Sequence, residues 1–197
     1  MADSQKMFIG IKKLWYGDVI TTAPLTPASV KSFIGSATVV PNVHDDTWGY
    51  EQSDPESTDY INQLTGEVYY RDKVVLKGSS TISFTLGTYS FQQKADLQGG
   101  VADDSHWESS PEMNFITKTI VAQTKTGQYI VFPFANIVAK GNYVERNVGL
   151  GVQATAMETG IAGIASEYFF EESAIASASP AQEGKTPAKP AEAAHGK

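Results

Sequence analysis

The chain has 197 residues, no cysteine and a formal net charge of −7 at pH 7. That length suits a single domain, and the absence of thiols excludes disulfides and cysteine metal sites. The acidic balance disfavours sequence-specific nucleic-acid binding, which usually relies on a basic face.

The N-terminus, MADSQKMFIG, lacks the basic stretch and apolar run of a secretory signal. No apolar run approaches the ~20 residues that a membrane-spanning helix needs. We therefore expect a soluble protein that is made and kept in a cytoplasm.

The first part of the chain predicts short strands joined by irregular segments. Met7–Tyr16 mostly alternates apolar and polar side chains, which predicts the first strand. Val30–Ile34 is compatible with a strand or a helical turn. Further strands are predicted over Ala37–Val43, which Pro41 interrupts, and over Thr47–Glu51.

The acidic segment Gln52–Gly66 has no clear periodicity and predicts a long loop. Long loops of this kind are usually functional or disordered. Its side chains of Tyr60, Ile61 and Leu64 are apolar enough to lie against a surface. A strand is predicted to follow over Glu67–Tyr70.

The most informative stretch is Lys73–Gly100. One parity of its first part is apolar: Val74, Leu76, Ile82, Phe84 and Leu86. The other parity is polar: Lys73, Lys77, Ser79, Thr81, Ser83 and Thr85. This alternation predicts a long strand with one apolar face and one hydroxyl-rich face. A short helix over Phe91–Leu97 follows, and Gly99-Gly100 is a fitting helix stop.

A hairpin is predicted next, from Met113–Gln123 through the turn at Thr126-Gly127 to Tyr129–Phe134. Pro133 predicts that the second strand ends or bulges there. Ile137–Lys140 is a candidate continuation of that strand.

Gly141–Met157 predicts a second long two-faced strand. Its apolar parity holds Val144, Val148, Leu150, Val152, Ala154 and Ala156, and its other parity holds Glu145, Gly149, Gly151, Gln153, Thr155 and Met157. Glu167–Glu171 predicts a last short strand.

From residue 173 onward the composition turns to Ala, Pro, Lys, Glu and Ser. Such a segment cannot bury a core, so we expect a flexible tail over 173–197 after a β domain over 1–172. The domain holds roughly eight to ten strands, one short helix and no βαβ alternation. The predicted fold class is therefore mainly β, with two packed antiparallel sheets forming a sandwich or barrel.

The sequence gives little support to an enzyme or a metal protein. Two acidic clusters contain possible metal ligands: His44 with Asp45 and Asp46, and His106 with Asp103 and Asp104 in a second acidic loop, Val101–Glu112. Neither has a recognised ligand spacing, and acidic loops are usually just solvated. There is no phosphate-binding glycine loop and no Gly-x-Ser-x-Gly motif. We expect no catalytic residues, no metal and no cofactor.

Three tryptophans, Trp15, Trp48 and Trp107, allow a sugar-stacking platform as one interpretation. The favoured interpretation puts Trp15 in the core and uses Trp48 and Trp107 to pack loops or interfaces.

The chain resembles the major tail tube proteins of long-tailed bacteriophages. The resemblance rests on ISFTLGTYSFQQKADLQGG at 82–100, on NQLTGEVYYRD at 62–72, and on IVFPFANIVAKGNY at 130–143 running into VGLGVQATAME at 148–158. It covers roughly residues 7–171. Tube proteins of contractile tails and of type VI secretion share that fold.

The resemblance implies two antiparallel sheets packed across each other and flanked by a helix. It also implies homohexameric rings, whose inner sheets join into one barrel and which stack into a hollow tube. A tape-measure protein and then transiting DNA occupy the lumen, and tail-terminator and baseplate or distal tail proteins bind the ends. The location implied is the virion tail, after assembly in the host cytoplasm.

A hydrated face without cationic side chains suits such a lumen, because Lys and Arg would hold DNA phosphates. We expect the lumen to be lined by Ser79, Thr81, Ser83, Thr85, Gly151, Gln153 and Thr155; the alternative is that they face ordinary solvent. Lys73 and Lys77 fit only if they lie outside the channel or pair with acids. Expected contacts between subunits are Trp48, Tyr50, Tyr60, Ile61 and Leu64.

Two other functions stay open. One is a tube, terminator or baseplate component of a contractile tail or injection system, which a sheath-binding outer surface would distinguish. The other is a carbohydrate-binding β-sandwich that uses Trp48 and Trp107.

Overall fold

The computed structural model describes residues 5–55, 59–71, 78–111 and 115–179. Within these ranges the protein is mainly β, as predicted, with every strand pair antiparallel. The strands are β1 (Lys13–Gly17), β2 (Thr38–Val39), β3 (Gly49–Gln52), β4 (Asp59–Ile61), β5 (Val68–Arg71), β6 (Ser80–Leu86), β7 (Val101–Ala102), β8 (Trp107–Glu108), β9 (Ile116–Gln123), β10 (Gln128–Val144), β11 (Asn147–Ala156) and β12 (Tyr168–Glu171). The helices are α1 (Pro27–Ser36), α2 (Phe91–Gln98) and α3 (Glu172–Ser177).

Eight strands form one sheet in the order β2-β1-β9-β10-β11-β6-β3, with β12 paired to β10. β10 is long enough to pair with different strands along its length. Its first part pairs with β9 and β12, and residues 135–144 pair with β11. We call β3, β6, β11 and residues 135–144 of β10 the polar half, and β1, β2, β9, β12 and the start of β10 the covered half.

The main core lies between the two halves. Leu14, Tyr16 and Ile120 of the covered half and Phe84 and Leu150 of the polar half belong to one buried cluster. The two halves therefore pack face to face, which is the sandwich-like arrangement that the sequence predicts.

A second core lies on the far face of the covered half. Trp15, Val121 and Val131 of the sheet pack there with Val30 of α1 and Ile175 of α3. The covered half is thus buried on both faces, whereas the described residues leave one face of the polar half open.

A β-bulge interrupts the pairing of β9 and β10 between Phe132 and Ala135. This confirms the bulge predicted at Pro133, which has no N–H to give to a neighbouring strand. Thr119 fills the gap, because its hydroxyl donates to the Pro133 carbonyl at 2.6 Å and accepts from the Ile20 N–H at 3.0 Å.

The predicted short helix is confirmed as α2. Ser90 caps its N-terminus in a capping box with Gln93, and Gly99, with φ of 85°, ends it. Val30–Ile34, which the sequence left ambiguous, lies inside α1. Thr26 caps that helix and Pro27 is its first residue.

The expectation of one helix was too low, because the described residues contain three. α3 covers 172–177, and its Ile175 side chain is only 4% exposed. The folded part therefore continues past the predicted boundary at 172. Residues 180–197 of the predicted tail lie outside the described residues.

The prediction of one strand over Gly141–Met157 was wrong. Glu145 and Arg146 form a two-residue turn, with φ of 46° and 69°, between β10 and β11. Because such a turn reverses the chain, Val144 pairs with Asn147 and lies on the opposite face from Val148.

The predicted loop Gln52–Gly66 is also corrected. It contains β4, which pairs with β5 in a separate two-stranded sheet. The second acidic loop contains β7 and β8, which pair with each other.

Several predicted strands are shorter than expected. Of the strand predicted over Ala37–Val43, only Thr38–Val39 is observed, as β2. The strand predicted over Met7–Tyr16 begins only at Lys13, although the Ile9 carbonyl accepts a bond from the Lys125 N–H at 2.9 Å. Residues 73–77 of the long two-faced strand lie outside the described residues, and its described part is β6.

Candidate channel face and subunit contacts

The structure brings most of the predicted lumen residues together on β6 and β11. Thr81 lies opposite Thr155, Ser83 opposite Gln153, and Thr85 opposite Gly151. Residues directly opposite each other on antiparallel strands share a face of the sheet. The hydroxyls of Thr81 and Thr155 are 3.3 Å apart and form a hydrogen bond across the strands.

Exposure differs along this face. Ser79, Ser83 and Gln153 are exposed, and Thr81, Gly151 and Thr155 are half-buried. Thr85, however, is only 4% exposed. The prediction that Thr85 lines an open surface was therefore wrong.

Thr85 is covered by two polar neighbours. The Asn142 side-chain amide donates to the Thr85 hydroxyl at 3.0 Å, and the Thr85 backbone N–H donates to the Thr47 hydroxyl at 3.0 Å. Thr85 forms the floor of a shallow depression of about 360 Å³, with Ser83 and Gln153 among the lining residues.

Sequence reasoning missed the contribution of β10 and β3 to this face. Asn136, Val138 and Lys140 lie opposite Thr155, Gln153 and Gly151. Glu51 of β3 lies opposite Thr81. The pairing of β10 with β11 follows from the two-residue turn at Glu145-Arg146, which no typical turn sequence marks.

The described face is close to electrically neutral. Serine, threonine, glutamine and asparagine side chains occupy its middle, while its charges, Lys140 and Glu51, lie on the two outermost strands. Both of those side chains are exposed. Lys73 and Lys77, which did not fit the predicted face, lie outside the described residues.

The polar half also has two open edges. Within the described ranges, β3 pairs with β6 alone, and residues 138–144 of β10 pair with β11 alone. Each edge therefore presents backbone N–H and C=O groups without a neighbouring strand. Such edges are templates for pairing with another chain.

The hairpin formed by β4 and β5 carries apolar side chains into solvent. Leu64 is 95% exposed at its turn, and Tyr60, Ile61, Tyr69 and Tyr70 are exposed as well. An exposed apolar cluster of this kind marks an interaction surface.

A salt bridge and an aromatic pair close the hairpin. The Arg71 Nη2 donates to Asp59 Oδ2 at 2.8 Å, and the rings of Tyr60 and Tyr70 are 5.7 Å apart. The hydrogen bond from Arg71 holds the pKa of the Asp59 carboxyl below its usual value.

Trp48 and Tyr50, which were predicted to lie between subunits, pack partly against their own subunit. Trp48 is half-buried against the main core. The Tyr50 hydroxyl donates to Glu167 at 2.7 Å, its ring lies 6.1 Å from that of Phe169, and its partial burial raises the pKa of the hydroxyl. Their contact with a neighbouring subunit stays a prediction.

The two acidic clusters have structural partners. Asp103 accepts hydrogen bonds from the Ser105 hydroxyl and from the backbone N–H groups of Ser105 and His106, which hold its pKa well below the usual range. His44 lies 3.8 Å from the Glu145 carboxylate. In the described ranges no three such side chains are arranged to hold a metal ion.

The three tryptophans do not share a platform. Trp15 stacks on Tyr129 in the second core, and Trp48 packs on the main core. Trp107 donates to the Gly99 carbonyl at 2.9 Å and lies under Lys94.

Comparison with models of known protein families and with curated proteins finds no match for this chain. None of the helices in the described ranges has both the length and the apolar character needed to cross a membrane.

Proposed function

We propose that this chain is the structural subunit of a phage tail tube, in which six copies form a ring and rings stack around a channel for DNA. The observation that carries the proposal is the polar half. Among the described residues, it combines an open, nearly neutral face with a strand edge on each side that has no neighbouring strand.

The strand directions favour ring closure. Neighbouring strands in the order β3-β6-β11-β10 are all antiparallel, so β3 and β10 run in opposite directions. When copies are related by rotation alone, β10 of one copy meets β3 of the next in the antiparallel sense. A head-to-tail contact of this kind generates a closed ring when the rotation closes.

The size of such a ring suits the proposed channel. Six copies of four strands, spaced about 4.8 Å apart, give a wall about 115 Å around and about 37 Å across, and more if the strands tilt. Subtracting about 5 Å of side chain on each side leaves about 27 Å, which is wider than a DNA duplex.

The chemistry of the face supports passage without retention. Hydroxyl and amide groups keep the wall wet, and the described part of the face carries one lysine per subunit, Lys140, which gives few phosphate contacts. Because affinity for DNA grows with the number of phosphates neutralised, such a wall binds DNA weakly. The same lumen would hold the tape-measure protein before ejection, and the ring faces would bind terminator and baseplate proteins.

Negative-stain electron microscopy of the concentrated protein, with mass photometry alongside, tests the proposal. We expect hexameric rings or hollow tubes with a channel at least as wide as the one estimated above. A stable closed dimer would contradict the proposal, because it would leave no pair of free edges for a ring.

A further inference from the structure

We infer that, in the ring proposed above, β3 of one copy pairs with β10 of the next in a single register, with Glu51 opposite Lys140 of the neighbouring copy. The inference rests on the proposed ring. It adds the residues that join its subunits.

The alternation of side chains limits the possible registers. We call the open face of the polar half, which carries Ser83 and Gln153, the polar face. Gly49 and Glu51 of β3 lie on it, and so do the even-numbered residues of β10 from 136 to 142. If the polar face is to continue from copy to copy, Glu51 must lie opposite an even-numbered residue of β10.

Pairing within the subunit removes further registers. Ile137 of β10 is already paired with Ile116 of β9, so Gln52 must lie opposite residue 138 or beyond. The turn at Glu145 ends the strand on the other side. Glu51 can then lie opposite Lys140 or Asn142 only.

Charge and space both favour Lys140. Glu51 and Lys140 are exposed, and neither has a salt-bridge partner among the described residues. Opposite charges directly across antiparallel strands attract. This register also sets Tyr50 opposite Gly141, where a side chain would meet open space. The neighbour's tyrosine therefore has room there.

Disulfide trapping tests the register directly, because the chain has no cysteine of its own. In the variant Glu51→Cys/Lys140→Cys, the two thiols of one copy are three strand spacings apart across the sheet, at least about 14 Å, which is too far for a bond within the subunit. Mild oxidation is expected to give a ladder of covalent oligomers that ends at six copies.

The matched control is Glu51→Cys/Asn142→Cys, which reports the alternative register. We expect it to cross-link several-fold more slowly than the first variant. The inference is overturned if the first variant stays monomeric on oxidation, or if the control cross-links faster. Rings of the unmodified protein in the microscope, without this cross-link, would overturn the register and leave the proposed function intact.

Charge reversal gives a second, independent test. Glu51→Lys alone and Lys140→Glu alone set like charges against each other at every joint, so each should lower the yield of rings about tenfold, since the joint recurs around the ring. Mixing the two variants should restore rings, because alternating copies meet with opposite charges at every joint.

The controls Asp104→Lys and Lys13→Glu make the same charge changes away from both edges and should assemble normally. Equal yields from the edge variants and these controls would contradict the inference, as would a mixture that fails to recover.

Discussion

Thr119 is a buried polar side chain whose position is explained by the bulge beside it. Its fully buried hydroxyl donates a hydrogen bond to the Pro133 carbonyl and accepts one from the Ile20 N–H. The bulge therefore depends on one hydroxyl that the core encloses.

Replacing Thr119 by valine tests this role while keeping the side-chain shape. We expect the free energy of unfolding to fall by about 1–3 kcal/mol, because a buried donor and acceptor lose their partner. Denaturant unfolding of the subunit measures it. Thr117→Val, on the same strand but half-buried, is the control and should change stability much less.

The pairing of Asp59 with Arg71 makes the hairpin sensitive to acid. The folded-state pKa of Asp59 lies below its usual value of about 3.9. The pair therefore stabilises the hairpin above about pH 4, and that contribution is lost as the pH falls through the folded-state pKa.

We expect nuclear Overhauser contacts between the Tyr60 and Tyr70 rings to weaken as the pH falls below about 4. In Asp59→Asn, where no carboxylate titrates, the same contacts should be weak and independent of pH over that window. Loss of the contacts at the same pH in both proteins would contradict this assignment.

Thr85 also marks the limit of residue-level prediction. Parity alone places it correctly on the polar face, next to Ser83. Its burial depends on Asn142 and Thr47, which come from distant parts of the chain. The alternation of residues predicts the face of a strand on which a side chain lies. It does not predict which other residues cover that side chain.

At the scale of elements, local signals decided which predictions succeeded. α2 was predictable because Ser90 and Gly99 mark its two ends. The turn at Glu145-Arg146 was missed because it lacks the Asn-Gly or Asp-Gly sequence typical of a two-residue hairpin. α1 carried a usable signal, Thr26 before Pro27, which a pattern of apolar residues does not register.

β5 lies where the sequence predicts a strand over Glu67–Tyr70, but β4, its partner in the hairpin, was missed for a different reason. Its apolar side chains lie in solvent, so they need no alternation toward a core of their own. An element that packs on another molecule need not show the periodicity of a domain core.

Leu64→Asp tests whether this hairpin packs on an adjacent subunit. We expect assembly to be strongly reduced, because a charge would replace an apolar contact, while the melting temperature of the monomer stays unchanged. Sedimentation velocity and thermal unfolding measure the two quantities. Val101→Asp, another exposed apolar position, is the control; equal assembly of both variants would argue against a role for the hairpin.

For the whole molecule, composition and pattern were sufficient to predict a mainly β fold with two packed halves. They could not predict that β10 joins those halves, because its 17 residues looked like separate strands broken at Pro133 and Gly141. Two of the four strands of the polar face, β6 and β11, were predicted from the alternation of their side chains. The other two, β3 and β10, become part of the face only through the strand order of the sheet.

In the proposed tube, the effect of the neutral polar face on DNA can be tested. Gln153→Lys would add one exposed positive charge per subunit to that face. We expect assembled tubes of this variant to retain DNA at low salt and release it as salt rises, since each new phosphate contact adds to the salt dependence. Co-sedimentation of labelled duplex with the tubes measures retention.

The control is Ser173→Lys, which adds the same charge at an exposed position of α3, at the covered half. Equal DNA retention by the two variants would argue that the polar face does not line the channel.

The continuity of β10 has a mechanical consequence. A force along the polar half enters the covered half through an unbroken backbone, and the hydrogen bonds of β9, β11 and β12 share that load along its length. Side-chain packing alone would let two separate sheets slide, but a common strand prevents it. Within the subunit, one continuous strand therefore carries tension from the polar half to the covered half.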